Sequence, residues 1–174
     1  MPVPTLATAI LQSSAIFGKW RPRLRALGND LPFIDVVVTC YKESIDIIQD
    51  TVLAALNIDY PKDRFRVVVA DDGSSPALKA WVGDIQGASD GEVHYVAREK
   101  IGAAGNKAGN LNHTLEFLEA LAGETAEFLA GLDADMIPER DWLRAVVAHM
   151  NPEVGMICPA QVYAYHLNHL SPAS

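Results

Sequence analysis

Two carboxylates one residue apart, Asp133 and Asp135, close the apolar run Phe128–Leu132. Two more, Asp71 and Asp72, close the run FRVVVA and are followed by Gly73-Ser74. Paired hard oxygen ligands suit a divalent cation: magnesium typically takes one or two carboxylates and completes its shell with waters and substrate phosphates. A bare D-x-D is also what a capped turn before a helix looks like, so spacing alone leaves Asp133-Ala134-Asp135 open to either reading. Asp71-Asp72 likewise fits a tight turn, with glycine free to take positive φ. One acid is enough for a turn, and the second could accept a hydrogen bond from a nucleobase N–H or a ribose hydroxyl. Thr39 closes a third apolar run, IDVVVT, and Tyr41 and Glu43 follow it. Tyr41 could pack on a base face and Glu43 could bond a base or ribose, or both could lie on an exposed loop before a helix.

The stretch Ile101-Gly102-Ala103-Ala104-Gly105-Asn106-Lys107 is rich in glycine and ends in a lysine. It is not a P-loop, because the G-x-x-x-x-G-K-[ST] spacing fails and Ala108 stands where the hydroxyl residue belongs. It could still aim backbone amides and the Lys107 ammonium at a phosphate from a helix start, or serve as a plain crossover loop. Cys40 and Cys158 are the only cysteines, and both sit among apolar residues. They suggest buried small hydrophobes in a reducing compartment, with no disulfide framework and no zinc set. His166 and His169 are three apart with no third ligand in view, which fits a tail.

These residues need elements to position them. Ile34–Thr39 reads as a strand buried on both faces, since it is β-branched and continuous. Ser44 can cap a helix over Ile45–Asn57, with Ile45, Ile48, Val52 and Leu56 on one face. Arg64–Ala70 is a second buried strand. Ser75 and Pro76 are a good cap and first helical residue for a helix reaching about Ile85. Val93–Arg98 is a third strand, and a helix follows from about Ala108 to Leu121, with Leu111, Leu115, Leu118 and Leu121 along one side. Phe128–Leu132 is a fourth strand and Trp142–Met150 a helix. Val154–Cys158 begins a fifth strand that could continue through Gln161-Val162-Tyr163. Strands alternating with helices imply an α/β fold with a mostly parallel sheet covered on both faces. Ligands bind such sheets beyond the carboxyl ends of the strands, and every polar cluster above falls at one of those ends.

Composition narrows the partners. The chain has 174 residues, 49% of them hydrophobic, which is the balance of one globular domain and not of a disordered chain. A net charge of −8 argues against nucleic acid, which would need a basic surface. Residues 1–30 run against this trend, holding Lys19, Arg21, Arg23 and Arg25 against Asp30. They form a basic arm, either solvated or turned toward a membrane, and Trp20-Arg21-Pro22-Arg23 would suit lipid headgroups. Leu6–Phe17 is too short and too broken to span a bilayer. The expected organisation is this arm over 1–30, a binding portion over 31–165 and a tail over 166–174.

Four ordered motifs together carry a family resemblance: VVVTCYKES (Val36–Ser44), VVVADDGSS (Val67–Ser75), KAGNLNHTL (Lys107–Leu115) and LDADMIP (Leu132–Pro138). Over about Phe33 to Gln161 the chain resembles the nucleotide-sugar-binding part of family 2 glycosyltransferases, which have the GT-A fold, a Rossmann-like sheet. The KAGNLN run is similar to the cellulose-synthase-like branch. The resemblance implies an inverting transfer from a UDP-sugar, with UDP-glucose the leading donor, to a growing glycan acceptor on the cytoplasmic side of a membrane. It implies that Thr39, Tyr41, Glu43, Asp71, Asp72 and Lys107 line the donor and that Asp133 and Asp135 hold Mg²⁺ or Mn²⁺ against the diphosphate.

The family's general-base aspartate and its Q-x-x-R-W acceptor motif are not found, and VYAYHLNHLSPAS fits the family poorly. No catalytic residue is therefore assigned, and the chain alone is expected not to transfer sugar processively. A non-catalytic module that binds nucleotide-sugar or docks on a full-length relative is the alternative. A phosphatase-like use of Asp133 as nucleophile is disfavoured, because such families usually carry a D-x-D-x-[TV] run after the first strand and here Ile137 holds the last position.

Overall fold

The computed structural model describes residues 24–88, 92–98, 107–121 and 123–159. Four strands form one all-parallel sheet: β1 (Ile34–Cys40), β2 (Phe65–Asp71), β3 (Glu92–Ala97) and β4 (Phe128–Asp133), in the order β3-β2-β1-β4. The helices are α1 (Ile45–Leu56), α2 (Pro76–Gln86), α3 (Lys107–Ala120) and α4 (Trp142–Val147). Every residue of β1 and β2 is buried, as their continuous apolar runs require of inner parallel strands.

The two faces of the sheet carry different cores. Val36, Val38, Val67, Val69 and Leu132 pack with α1, α2 and Leu143 of α4. Val37, Val68, Ala70 and Val96 face α3 through Leu118, with Leu111 and Phe117 at the margin. The expected cap of α2 is present: Ser75 Oγ accepts from the Leu78 N–H at 3.3 Å, and Pro76 is the first helical residue. Ser44 makes no such bond to α1, because its hydroxyl donates to the Asp46 carboxylate instead.

Two helix faces differ from expectation. Ile45 is exposed, and α1 buries Ile48, Thr51, Val52, Ala55 and Leu56. On α3 the buried line is Asn110, Thr114 and Leu118, whereas Leu115 turns outward. The side-chain donors of that line are satisfied inside: Asn110 Nδ2 donates to Ala70 O at 2.8 Å and Thr114 Oγ1 to Asn110 O at 2.8 Å, while Asn110 Oδ1 is buried with no partner among the described residues. The last expected turn of α4 does not form, since the helix ends at Val147.

The expected fifth strand is also a correction, because residues 154–159 form no strand. Gly155 has no side chain to pack, Pro159 lacks an N–H for a ladder, and Met156 is 82% exposed. Its proposed continuation through Gln161-Val162-Tyr163, the basic arm before residue 24, residues 99–106 of the glycine-rich stretch, and His166 and His169 lie outside the described residues.

Residues preceding β1 are tied to the domain by Arg144, which is 9% exposed. It donates to Ala26 O at 3.2 Å, Gly28 O at 2.9 Å and Asp59 O at 2.8 Å. Gly28 has φ +78°, a left-handed turn that glycine takes without strain. Among the described residues no helix is long and apolar enough to cross a membrane.

Candidate donor and metal site

The strand order reverses at β1: β2 and β3 lie on one side of it and β4 on the other. A crevice at the carboxyl ends of strands on either side of such a point is the favoured ligand position in open α/β sheets. Register puts Thr39 of β1 between Ala70 of β2 and Asp133 of β4. Thr39 Oγ1 bridges the switch point, lying 3.2 Å from Leu132 O and 3.3 Å from Asp133 Oδ1. Lys107, the first residue of α3, pairs its ammonium with the same Asp133 oxygen.

The Asp-Ala-Asp turn is positioned from below. Ala134 is 3% exposed and belongs to the core, which leaves Asp133 half-buried and Asp135 exposed on either side of it. Thr51, wholly buried on α1, donates to Ala134 O at 2.6 Å, and the Met136 N–H bonds Asp133 O at 3.0 Å. Thr51 is a positioning residue that the sequence did not single out. Its only signal is a hydroxyl among the apolar positions of α1.

The two acids after β2 have separate jobs. Asp71 is 1% exposed and organises its own loop, accepting from Gly73 N at 2.7 Å, Ser75 N at 2.6 Å and Tyr95 Oη at 2.8 Å. Burial, and then this bond to Asp71, holds the Tyr95 phenol well above its usual range. Asp72 accepts from Arg98 Nε at 2.5 Å and Nη2 at 3.3 Å, and the bond to Asp72 raises the Arg98 guanidinium further. The backbone N–H of Asp72 bonds Cys40 O at 2.9 Å, so the loops after β1 and β2 are joined. Tyr95 and Arg98 were not assigned to the site either, although Arg98 is a cation directly after β3 at an edge rich in acids.

Tyr41 and Glu43 lie on the exposed loop after β1. The Tyr41 N–H bonds the Glu43 carboxylate, and the Lys42 ammonium sits 5.3 Å from the Tyr41 ring centre. Lys42 (φ 63°) and Ser74 (φ 54°) are left-handed without being glycine, so both loops that frame the crevice store backbone strain. Gly73 packs between them: a Cβ there would meet Asp71 Oδ1 at 3.0 Å and the Lys42 nitrogen at 3.2 Å. The structure therefore brings Thr39, Lys107 and Asp133 into direct contact, sets Asp135 beside them, and places Asp71 and Asp72 on the adjacent strand end. Tyr41 and Glu43 stand on the rim. A cleft of about 700 Å³, lined in part by Pro32, Arg64 and Phe128, opens at the opposite ends of the strands and holds none of these residues.

The acids of this edge reach Cys40. Burial first, then Asp71, Glu43 and Asp72, push its thiol from 9.0 up to about 12. A raised thiol favours the protonated folded state, so its stabilising contribution is complete below pH 9.0 and is lost between 9.0 and about 12. Cys158, expected to be buried, is instead exposed, so iodoacetamide at pH 8 is expected to alkylate it and spare Cys40 until the chain is unfolded in urea. Peptide mass mapping with and without urea checks this, and rapid native labelling of Cys40 would contradict it.

With this geometry in hand, the lineage is plain. Residues 35–170 match the model of Glycosyl transferase family 2, and the chain belongs to that family. The cellulose synthase catalytic subunit (UDP-forming) of Komagataeibacter sucrofermentans is 34% identical over 122 residues, 70% of this chain and 15% of that one. Cellulose synthase 2 of Novacetimonas hansenii is 32% identical over 155 residues, 88% of this chain and 9% of the relative. The chain thus spans a small part of each relative's length. The expected GT-A fold is borne out by the mannosyltransferase PcManGT of Pyrobaculum calidifontis, solved with GDP-Man and Mn²⁺. That protein is 26% identical with a TM-score of 0.62, over 86% of this chain and 45% of its own. The TarS protein of S. aureus (residues 1–349) shares the fold at 23% identity and a TM-score of 0.50, over 67% of this chain and 31% of its own.

Proposed function

We propose that this chain is the donor-binding portion of a UDP-sugar-dependent, inverting β-glycosyltransferase of the polysaccharide-synthase kind, with UDP-glucose as the leading donor. The single observation that carries this reading is Asp133 at the switch point between β1 and β4, bonded to Thr39 and paired with Lys107. The UDP-forming relative supports a uridine diphosphate leaving group, and the Mn²⁺ of the mannosyltransferase neighbour supports a metal-dependent site.

The residues present fit such a metal. Asp133 already holds a cationic group, the Lys107 ammonium, and Asp135 is exposed beside it. Among the described residues no three metal-ligating side chains converge, so Asp133 and Asp135 would hold Mg²⁺ or Mn²⁺ with positions left for water and diphosphate oxygens. When bound, the ion would neutralise the diphosphate and favour departure of UDP as charge develops on it. Lys107 then serves two anions, Asp133 in the free protein and a phosphate oxygen in the donor complex. Thr39 keeps the Asp133 carboxylate turned toward the crevice. Asp71 and Asp72, each held by its own partners, form the nucleoside wall, and Tyr41 offers a half-exposed ring on the rim.

Calorimetric titration of the 174-residue chain with UDP, first with Mn²⁺ and then with EDTA, tests this. Binding is expected only with metal. Asp133→Ala should abolish it and Asp135→Ala should weaken it by roughly 10–100-fold, while both variants keep the circular dichroism spectrum of the parent. Binding indifferent to EDTA and to Asp133→Ala would remove the metal from the reading. A folded chain that ignores UDP would overturn the donor site itself.

A further inference from the structure

Arg98 does two things at once. Its guanidinium forks onto Asp72, and it also lies across the first turn of α3. A Cβ on Gly109 would fall 2.4 Å from Arg98 Nη1, 3.1 Å from Cζ and 3.3 Å from Nη2. Where Arg98 now lies, it leaves room at 109 for a residue without a side chain. Glycine is a poorer helix former than alanine, so this first-turn position gives up some helix propensity. One residue further on, Asn110 ties α3 to Ala70, the neighbour of Asp71, through a bond of 2.8 Å and is 2% exposed. Helix α3 also carries Lys107, which holds Asp133 on the far side of the crevice.

We infer that Arg98 is a positioning residue that, seated on Gly109, sets where Asp72 stands relative to Lys107 and Asp133. The guanidinium is the far end of a flexible side chain, and a methyl group at 109 could push it aside. The fork on Asp72 resists that movement, since displacing the guanidinium strains its two bonds to the carboxylate. The spacing between the nucleoside wall at β2 and the diphosphate side at α3 is therefore set by a contact between an arginine and a missing side chain. Its consequence for nucleotide rests on the donor-site reading above, and the interlock itself does not.

A double-mutant cycle on Arg98→Ala and Gly109→Ala tests the inference, with Arg98→Lys as the conservative variant. Melting is followed by circular dichroism and UDP affinity by calorimetry in Mn²⁺. Gly109→Ala alone is expected to lower the melting temperature and to weaken UDP roughly 10-fold. In the Arg98→Ala background the same substitution should raise the melting temperature, because alanine is the better helix former, and leave UDP affinity within about 2-fold of that background. Arg98→Lys, which keeps the charge and loses the fork, should behave like Arg98→Ala toward Gly109→Ala. If Gly109→Ala does not fold, the double variant must regain the fold. A shift of the same sign and size in both backgrounds, or a double variant that stays unfolded, overturns the interlock. Absence of UDP binding by the parent chain overturns the donor site instead, and the melting cycle then still decides the interlock.

Discussion

Asp35→Ala is expected to lower the free energy of unfolding by about 3–5 kcal/mol, measured by urea titration at pH 7. Asp35 of β1 stands opposite Arg66 of β2 in the parallel register. Its carboxylate accepts from Arg66 Nε at 2.5 Å and Nη2 at 3.2 Å, and the two side chains are only 7% and 3% exposed. The guanidinium also lies 5.2 Å from the Phe33 ring centre. Without Asp35, this buried cation loses the carboxylate onto which it forks. Water cannot reach it cheaply, because it lies on the face of the sheet that α3 helps to cover. The pair is not in itself a large source of stability, since two buried ions lose most of their attraction to desolvation. Hence Asp35→Leu combined with Arg66→Met should recover most of the loss. A single-variant cost below about 1 kcal/mol would mean that the guanidinium finds solvent after all.

Asp71→Ala should cost about 3 kcal/mol and remove UDP binding in the same step. The carboxylate satisfies two backbone N–H groups of the loop and the Tyr95 hydroxyl, and each buried donor left without a partner costs about 1–3 kcal/mol. For a chain of this size that is a fall of roughly 6–12 °C in melting temperature. Asp71→Asn keeps one acceptor oxygen and should fall between parent and alanine in both readouts. Stability and affinity moving together mark a group that shapes the site. Asp133→Ala should show the opposite pattern, with affinity lost and melting temperature nearly unchanged. Were Asp71→Asn to keep its melting temperature while losing UDP, Asp71 would be touching the nucleotide and not only holding its loop.

The sequence displayed the sheet better than the site's wiring. The runs IDVVVT and FRVVVA could be read as inner strands because a parallel strand covered on both faces has no polar side to show. Alternation with helices then placed the acids at one edge, since every parallel strand ends on the same side. What each acid bonds was not visible. Asp71 uses both oxygens within its own loop and on Tyr95, and Asp72 is taken by Arg98, a partner 26 residues on. The leucines of α3 marked its buried face only in part: Leu118 is buried and Leu111 packs beside it, but Leu115 is exposed, and Asn110 and Thr114 take inner positions with a donor of each on a carbonyl. A heptad-like count sees apolar spacing and is blind to a buried amide that has found an acceptor. The open stretch 154–159 failed for another reason: Val154, Ile157 and Cys158 suit a strand, but Gly155 and Pro159 interrupt the run.

The order of strands has a consequence for how the protein comes to be folded. No two neighbouring strands are joined by a hairpin, and every pairing closes a loop through a helix. Strands β1, β2 and β3 associate in chain order, but β4 returns to β1 across the rest of the chain, and the bond from Thr39 to Asp133 spans 94 residues. Long closures are entropically slow, so β4 is expected to dock last, onto a β1–β2–β3 core that has already formed. An intermediate on that route would own Asp71 and Asp72 in place but lack Asp133. On the donor-site reading, recovery of metal affinity during refolding would then lag behind the packing of Trp81 of α2 against the core, giving the assembly of this site a clock of its own.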